Sequence, residues 1–275
     1  MSGSIVLIND FIENYKNADI DFERLDLDKL EKYALRGNSK AQNVLGDRYY
    51  NGEGVKENFT EALKWYKKSA ENGYSIAQYN LGDMYYCGTG VKQSYLKAIE
   101  WFEKSAKNGN SNAQCNLGCM YEEGQGVDKN FEEAIKWYTK AGNNGDFYAQ
   151  YNLGNMYLYG KGIKQDYKNA FLWHEICAKQ GYPKAQNTIG YLYEEGKGVD
   201  KDYNAAVKWY EEAAYQEYPY AEYNLAGMYY SGKGIAKNLK LAYLWYEKAA
   251  DHGLKKAKDA LNEKFYKWLI IKRSS

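Results

Sequence analysis

The chain has few of the residues that interrupt helices or perform catalysis. It contains two prolines and two histidines in 275 residues. Because proline breaks helix interiors, its scarcity predicts long helices, packed through the 31 tyrosines and 7 tryptophans. Lysine plus arginine number 37 and aspartate plus glutamate 36, so the net charge of +1 provides no global attraction for nucleic acid. We therefore predict a mainly helical protein that binds no nucleic acid.

Long apolar runs are also missing. The only apolar run near the start spans residues 5–8 and has no basic residue before it, which is too short and too uncharged for a secretory signal. No stretch approaches the ~20 apolar residues that a membrane span requires. The sequence therefore predicts a cytoplasmic protein with no integral membrane segment.

Cysteine is scarce and follows no pattern. Cys87, Cys115, Cys119 and Cys177 recur at no fixed offset within the repeat described below. Cys115 and Cys119 lie four residues apart on a predicted helix, where two thiols could share a metal, but no histidine or further cysteine is near in sequence. Free thiols in a reducing cytosol are the predicted state, with a disulfide or a metal role as the alternative.

Catalytic constellations are scarce as well. His174 and His252 occupy repeat positions that hold tyrosine or asparagine in other copies, which favours tolerated substitutions over general bases. No carboxylate recurs with a histidine or serine at a spacing typical of a triad or a metal cluster. The sequence predicts no catalytic residue, no metal and no cofactor.

A 36-residue repeat organises what is present. Six of the seven tryptophans share one register, namely Trp65, Trp101, Trp137, Trp173, Trp209 and Trp245. Such a period is typical of arrays in which each unit buries its apolar face against its neighbours. Six full units are predicted, at residues 41–76, 77–112, 113–148, 149–184, 185–220 and 221–256. We expect the six tryptophans to form the core, so that Trp137→Ala costs about 3–5 kcal/mol.

Each unit has the pattern of a helical hairpin. In the second unit, the first helix carries Ala77, Leu81 and Gly82, and it is followed by Gly88 and Gly90. Glycine inside a helix costs about 1 kcal/mol relative to alanine, so we expect the second helix to approach closely there. The glycine pair recurs in every unit, which predicts positive φ at a helix end rather than a phosphate-binding loop.

The two ends depart from the repeat. Residues 1–40 are predicted to form an amphipathic helix, spaced through Ile5, Ile8 and Phe11, and then a half repeat that acts as an N-terminal cap. Residues 257–275 are predicted to form a C-terminal capping helix.

Charge is distributed unequally between these ends. Residues 1–31 have a net charge of −5 and residues 253–275 a net charge of +5. We predict a monomer with solvated caps. The alternatives are head-to-tail self-association and contact of the basic helix, which carries Trp268 and Leu269, with an anionic membrane.

The repeat resembles a known family. Its pattern is Ala-x-x-x-Leu-Gly-x-x-Tyr, a Gly-x-Gly-Val loop, and Ala-x-x-Trp-Tyr-x-x-(Ser/Ala)-Ala-x-x-Gly. This pattern is similar to that of the Sel-one-like repeat (SLR) family, a relative of the tetratricopeptide repeat. The resemblance implies an all-α fold, a right-handed α-solenoid (superhelix) of antiparallel helix pairs. It also implies a non-catalytic adaptor or scaffold for a protein or peptide partner.

One branch of that family suggests an alternative function. Its secreted members carry two cysteines per unit and have been linked to penicillin binding and weak β-lactam hydrolysis. The positions where such a pair would be expected hold Glu71 and Gln78 in the chain. A β-lactamase-like hydrolase is therefore the second hypothesis, behind the scaffold.

The resemblance also indicates where a partner would bind. In tetratricopeptide-like arrays the first helices line the concave face, and by register the candidate residues are Asn43, Asp47, Tyr50, Tyr79, Asp83, Tyr86, Glu122, Tyr151, Asn155, Asn187, Tyr191, Glu194, Tyr223 and Tyr230. These positions vary while the packing positions repeat, as expected of a recognition surface on a fixed scaffold. Tyrosine and asparagine suit an extended peptide. Lysine and arginine are absent from these rows, and ordinary solvated helix faces are the alternative.

Overall fold

A computed structural model describes residues 20–273, with side chains described through residue 265. After a 3₁₀ turn at Phe22–Arg24, this part of the chain contains only α-helices and their connections. The helices are α1 (Leu27–Leu35), α2 (Ser39–Asn51), α3 (Phe59–Glu71), α4 (Ser75–Cys87), α5 (Tyr95–Lys107), α6 (Ser111–Glu123), α7 (Phe131–Asn143), α8 (Phe147–Tyr159), α9 (Tyr167–Lys179), α10 (Pro183–Glu195), α11 (Tyr203–Ala214), α12 (Pro219–Ser231), α13 (Leu239–Asp251) and α14 (Lys255–Arg273). The amphipathic helix predicted through Ile5 and Phe11 lies outside the described residues.

The chain divides into two compact units, Met1–Ala113 and Gln114–Ser275. In the first unit, each helix from α1 to α5 contacts the next one along the chain, and in the second unit the same holds from α7 to α14. Helices thus alternate between first helices (even numbers, α2 to α12) and second helices (odd numbers, α3 to α13). The predicted all-α array of helix pairs is confirmed.

Local sequence sets the ends of these helices. Gly88 follows α4 with φ 77°, and Gly90 has φ 68°, a left-handed conformation that glycine adopts without a steric penalty. The next helix begins after Ser94, whose side chain accepts a hydrogen bond from the backbone N–H of Lys97. Because these signals recur in each repeat, the predicted glycine turns are confirmed.

The glycine inside each first helix provides room for a ring. A Cβ atom added at Gly82 would lie 2.7 Å from the ring of Phe102, and one at Gly46 would lie 2.6 Å from the ring of Tyr66. Real side chains do not approach so closely, so the aromatic residue occupies space that only glycine leaves open. The predicted close approach of the second helix is confirmed.

The tryptophans are less buried than expected. Trp65 is 7% exposed, but the other five tryptophans of the register are only half-buried. The residue after each tryptophan lies on the glycine instead, and Tyr138 and Tyr210 are among the largest fully buried side chains. Consecutive helical residues point about 100° apart. Trp101 consequently packs beside the core cluster of the preceding repeat, and the prediction that all six tryptophans are buried is wrong.

A buried glutamine links three consecutive helices in successive repeats. The Gln78 side chain, on α4, donates to the carbonyl of Ala70 at the end of α3 and accepts from Asn108 at the end of α5, both at 3.1 Å. Corresponding bonds are made by Gln42, Gln150 and Gln186. These side chains tie each repeat to the one before it, and sequence reasoning did not identify them.

The last repeat replaces this amide pair. Glu222 stands where the other repeats have glutamine, and His252 stands where they have asparagine or glutamine. The Nδ1 atom of His252 lies 2.9 Å from a carboxylate oxygen of Glu222, which is 1% exposed. A carboxylate–imidazole pair therefore takes the place of the amide hydrogen bond.

The C-terminal helix packs on α13 and bends at Phe265, where φ is −121°. Phe265 is buried beside Tyr243 and Tyr246. The apolar run at 268–271, invoked for membrane contact, lies outside the residues whose side chains are described. None of the helices searched in the described part combines the length and the apolar character that crossing a membrane requires.

Candidate functional site

The candidate residues lie on the first helices, and nearly all of them are half-buried. Asn43 is buried at 5% exposure, and Tyr191 is exposed at 36%. The others lie between these extremes. Their side chains are joined to the scaffold by hydrogen bonds or ring contacts more often than the prediction of a recognition surface assumed.

In the first unit, Asp47 is the acceptor of a small polar network. It receives hydrogen bonds from the Tyr66 hydroxyl at 2.7 Å, the Asn43 amide at 2.8 Å and the Asn80 amide at 3.4 Å. Burial raises the pKa of Asp47 above its ordinary value, and the hydrogen bond from Tyr66 opposes that rise. Burial likewise raises the pKa of Asp83. Asp47 is therefore occupied by internal partners.

Ring contacts hold the three candidate tyrosines of this unit. Tyr50 meets Phe59 edge-on at 5.2 Å between centroids. Tyr79 lies 5.8 Å from Phe102, and Tyr86 lies 5.3 Å from Tyr95. Each tyrosine thus connects a first helix to the second helix of its own repeat.

In the second unit, lysines from the glycine loops reach the candidate carboxylates. Glu122 accepts from the Tyr138 hydroxyl at 2.7 Å and pairs with Lys161. Glu194 accepts from the Tyr210 hydroxyl at 2.9 Å, and its carboxylate lies 3.9 Å from Lys233. The rows contain no basic residue, but the loops of the next repeats bring basic residues to them, which the sequence analysis missed.

The remaining candidates of the second unit are also tied to neighbours. Asn187 accepts from Asn224 at 2.9 Å, and the Tyr191 hydroxyl accepts from Lys197. Tyr223 meets Tyr246 at 5.3 Å, and Tyr230 meets Phe265 at 5.9 Å. Asn155 interacts with Tyr151.

His174 is the exception among the buried rings. It is fully buried on Gly154, and neither of its ring nitrogens has a hydrogen-bond partner. Its ring lies 5.2 Å from that of Tyr151. Burial lowers the pKa of His174 to about 3, so the imidazole is neutral at pH 7. A neutral, buried ring with no exposed nitrogen supports the interpretation of His174 as a packing residue.

Tyrosines also occupy positions where other repeats cap their helices. The side chains of Asn38 and Asp146 accept hydrogen bonds from the first turns of α2 and α8. Tyr182 and Tyr218 precede α10 and α12 without a side-chain cap bond, and each is followed by a proline at the helix start. Proline is preorganised for that position, so it offsets part of the lost cap.

These tyrosines complete an aromatic patch in the second unit. We define it as Phe147, Tyr148, Tyr151, Tyr182, Tyr218 and Tyr220. The Tyr182 ring lies 5.2 Å from Phe147, 5.8 Å from Tyr148 and 5.3 Å from Tyr151. Tyr218 lies 5.6 Å from Tyr220. Only Tyr151 was among the predicted residues, although the two Tyr-Pro pairs, which contain every proline of the chain, are a visible signal.

The aromatic patch is partly exposed and its hydroxyls stay neutral. Tyr148 is 55% exposed and Tyr220 is 49% exposed. Burial, with smaller contributions from Tyr151 and Tyr148, raises the pKa of Tyr182 to about 12. Burial and the nearby Tyr151 raise the pKa of Tyr218 to about 12. The patch therefore presents apolar ring area and uncharged hydroxyl groups.

Comparison with known proteins agrees with this architecture. The Sel1 repeat model matches residues 39–74, 75–110, 111–146, 147–182, 183–218 and 219–254. A protective antigen of uropathogenic Escherichia coli with an SLR fold is 34% identical over 88% of the chain, with a TM-score of 0.84. A Sel1 repeat protein from Oxalobacter formigenes is 34% identical over 79% of the chain, with a TM-score of 0.71.

The chain spans 53% of the Escherichia coli protein and 89% of the Oxalobacter protein. No protein with a curated description matches it. The six consecutive matches cover most of the chain and coincide with the helix pairs seen in the structure. The chain belongs to the Sel1 repeat family.

Proposed function

We propose that the protein is a non-catalytic scaffold that binds a protein or peptide partner on the face of its first helices. The observation that carries this proposal is the aromatic patch. Two helices give up a cap hydrogen bond, typically about 1 kcal/mol, and place a tyrosine at each position instead. A residue that is unfavourable for its own helix and is partly exposed indicates a role in recognition.

The patch has the chemistry of a peptide-binding surface. Tyrosine provides a large, rigid contact area at a low cost in side-chain entropy, and its hydroxyl can bond to a peptide backbone. Tyr148 and Tyr220 are the two exposed members, so they are the ones a partner would cover first.

The hydrolase hypothesis has less support. All four cysteines are free thiols. Gln78, at a position where the secreted branch would have a cysteine, is a buried glutamine that bonds to Ala70. A nitrocefin assay tests this alternative, and measurable turnover that follows the protein through purification would contradict the non-catalytic proposal. The free thiols also support the predicted cytoplasmic location.

The scaffold proposal is tested by affinity capture with mass spectrometry. The test variant combines Tyr148→Ala and Tyr220→Ala, and the matched control is Tyr215→Ala, a tyrosine that is 72% exposed on the end of a second helix. We expect the double variant to lose specific partners while Tyr215→Ala keeps them. Both variants should melt within a few degrees of wild type. Retention of all partners at wild-type strength by the double variant would show that the patch is an ordinary solvated surface.

A second pair of variants tests the positions predicted from the sequence. Tyr79→Ala changes a candidate tyrosine of the first unit, and Tyr151→Ala changes one that belongs to the patch. We expect Tyr151→Ala to weaken capture more than Tyr79→Ala, because only Tyr151 contacts the exposed aromatic group. Equal losses would extend the binding surface to the first unit.

A further inference from the structure

Two thiols and two other polar side chains meet in the third repeat. Cys115 is buried and Cys119 is half-buried, one turn apart on α6. The Cys119 sulfur accepts from the Tyr138 hydroxyl at 3.2 Å and from the Asn152 amide at 3.9 Å, the outer limit for such a bond. The Cys115 thiol also hydrogen bonds to this sulfur. Three donors from three helices therefore converge on one sulfur atom.

The first repeat shows what this arrangement of donors accommodates. Two repeats earlier, the position of Cys119 is held by Asp47, and the positions of Tyr138 and Asn152 by Tyr66 and Asn80. Tyr66 and Asn80 both donate to the Asp47 carboxylate. The third donor to Asp47, Asn43, stands at the position of Cys115. The same four positions thus hold an acidic acceptor in one repeat and a thiol in another.

We propose that Cys119 is a modification site, a nucleophilic thiol that reacts with soft electrophiles and with hydroperoxides. A thiol reacts as its thiolate, and hydrogen-bond donors directed at the sulfur stabilise that form. The bond from Cys115, together with that from Tyr138, holds the pKa of the Cys119 thiol below its ordinary value, although burial acts in the opposite direction. Burial raises the pKa of the more exposed Cys87.

The reaction with hydrogen peroxide balances without a further reagent. The Cys119 thiolate attacks one peroxide oxygen, an S–O bond forms as the O–O bond breaks, and hydroxide leaves and takes up a proton to give water. The sulfur is oxidised by two electrons to sulfenic acid, and the peroxide is reduced. Cβ atoms one helical turn apart are about 5–6 Å from each other, whereas a disulfide needs roughly 3.5–4.5 Å. The sulfenic acid therefore persists rather than closing onto Cys115 while α6 is intact.

The test measures two cysteines in the same folded molecule. The full-length protein is treated with iodoacetamide between pH 6 and pH 9, and the alkylation of each cysteine is followed by peptide mass spectrometry. At pH 7 we expect Cys119 to react faster than Cys87, although exposure alone predicts the reverse order. We also expect the rate profile of Cys119 to rise at lower pH. Faster reaction of Cys87 at pH 7 would overturn the proposal.

Matched variants test the donor set itself. Tyr138→Phe keeps the ring and removes the hydroxyl, and it should slow Cys119 by roughly tenfold, the change in thiolate fraction that one pKa unit produces. Tyr210→Phe removes the corresponding hydroxyl two repeats later and should leave Cys119 unchanged. Dimedone trapping after hydrogen peroxide treatment should label Cys119 in the wild type and less in Tyr138→Phe. Equal rates in wild type and Tyr138→Phe, with both folded by circular dichroism, would contradict the proposal.

Discussion

The third and fourth repeats solve the same packing problem in different ways. In the third repeat, the Tyr138 ring covers Gly118 and its hydroxyl reaches Glu122 and Cys119. In the fourth, the shorter His174 covers Gly154 and makes no hydrogen bond, and the position of Glu122 is held by the buried Leu158. The backbone arrangement is shared, so the ring at this position decides whether the face of the first helix is polar and linked or apolar and unlinked.

The largest effect should separate the buried ring from its neighbouring tryptophan. Tyr138→Ala removes a fully buried ring and should lower the free energy of unfolding by about 3–5 kcal/mol. Trp137→Ala removes a half-buried ring and should cost about 1–2 kcal/mol. Urea denaturation followed by circular dichroism measures both. A larger loss for Trp137→Ala would restore the tryptophan-centred core that the sequence predicted.

The next effect is a dependence on pH that only the fourth repeat should have. The pKa of His174 is lowered to about 3 in the folded chain, against about 6.5 when unfolded, so the unfolded state binds more protons between these values. Stability should therefore fall as the pH decreases below about 6.5, by about 2 kcal/mol between pH 7 and pH 5.

Comparison with His174→Phe isolates this contribution, because Phe102 already fills the same position of the second repeat. The difference in unfolding free energy between the variant and the wild type should grow from pH 7 to pH 5. The same difference at both pH values would show that His174 is protonated in the folded protein.

The smallest effect concerns the hydroxyl of the third repeat. Tyr138→Phe removes the hydrogen bonds to Glu122 and Cys119 and keeps the ring, so it should cost about 1 kcal/mol. The control is His174→Tyr, whose new hydroxyl would face Leu158 and gain less stability than His174→Phe. Thermal melts of the four proteins are sufficient. If Tyr138→Phe were as stable as wild type, the polar link would have no energetic role.

Local patterns were enough to predict the fold but not the site. The glycine turns and the helix pairs follow from residues that recur every 36 positions, and each helix end depends on groups a few residues apart. The tryptophan prediction failed because a fixed position in a repeat does not reveal which side of the helix faces the core. The neighbouring Tyr138 turned out to be the buried residue.

The candidate surface failed in part for a different reason. Lys161 reaches Glu122 from a position 39 residues later, and the Tyr138 hydroxyl reaches it from a different helix. Such contacts depend on how neighbouring repeats stack, which a pattern within one repeat does not contain. The aromatic patch combines residues of several repeats in the same way, so only Tyr151 was identified beforehand.

The glutamine links have a consequence for how the chain reaches its folded state. Gln78 bonds to residues 8 positions before it and 30 positions after it, and the bond between Asn80 and Asn43 spans 37 positions. Closing loops of this size is fast, and ordered structure can begin in any pair of adjacent repeats and extend in both directions. During synthesis, each glutamine can therefore be satisfied as soon as the next helix emerges, before the rest of the chain is made.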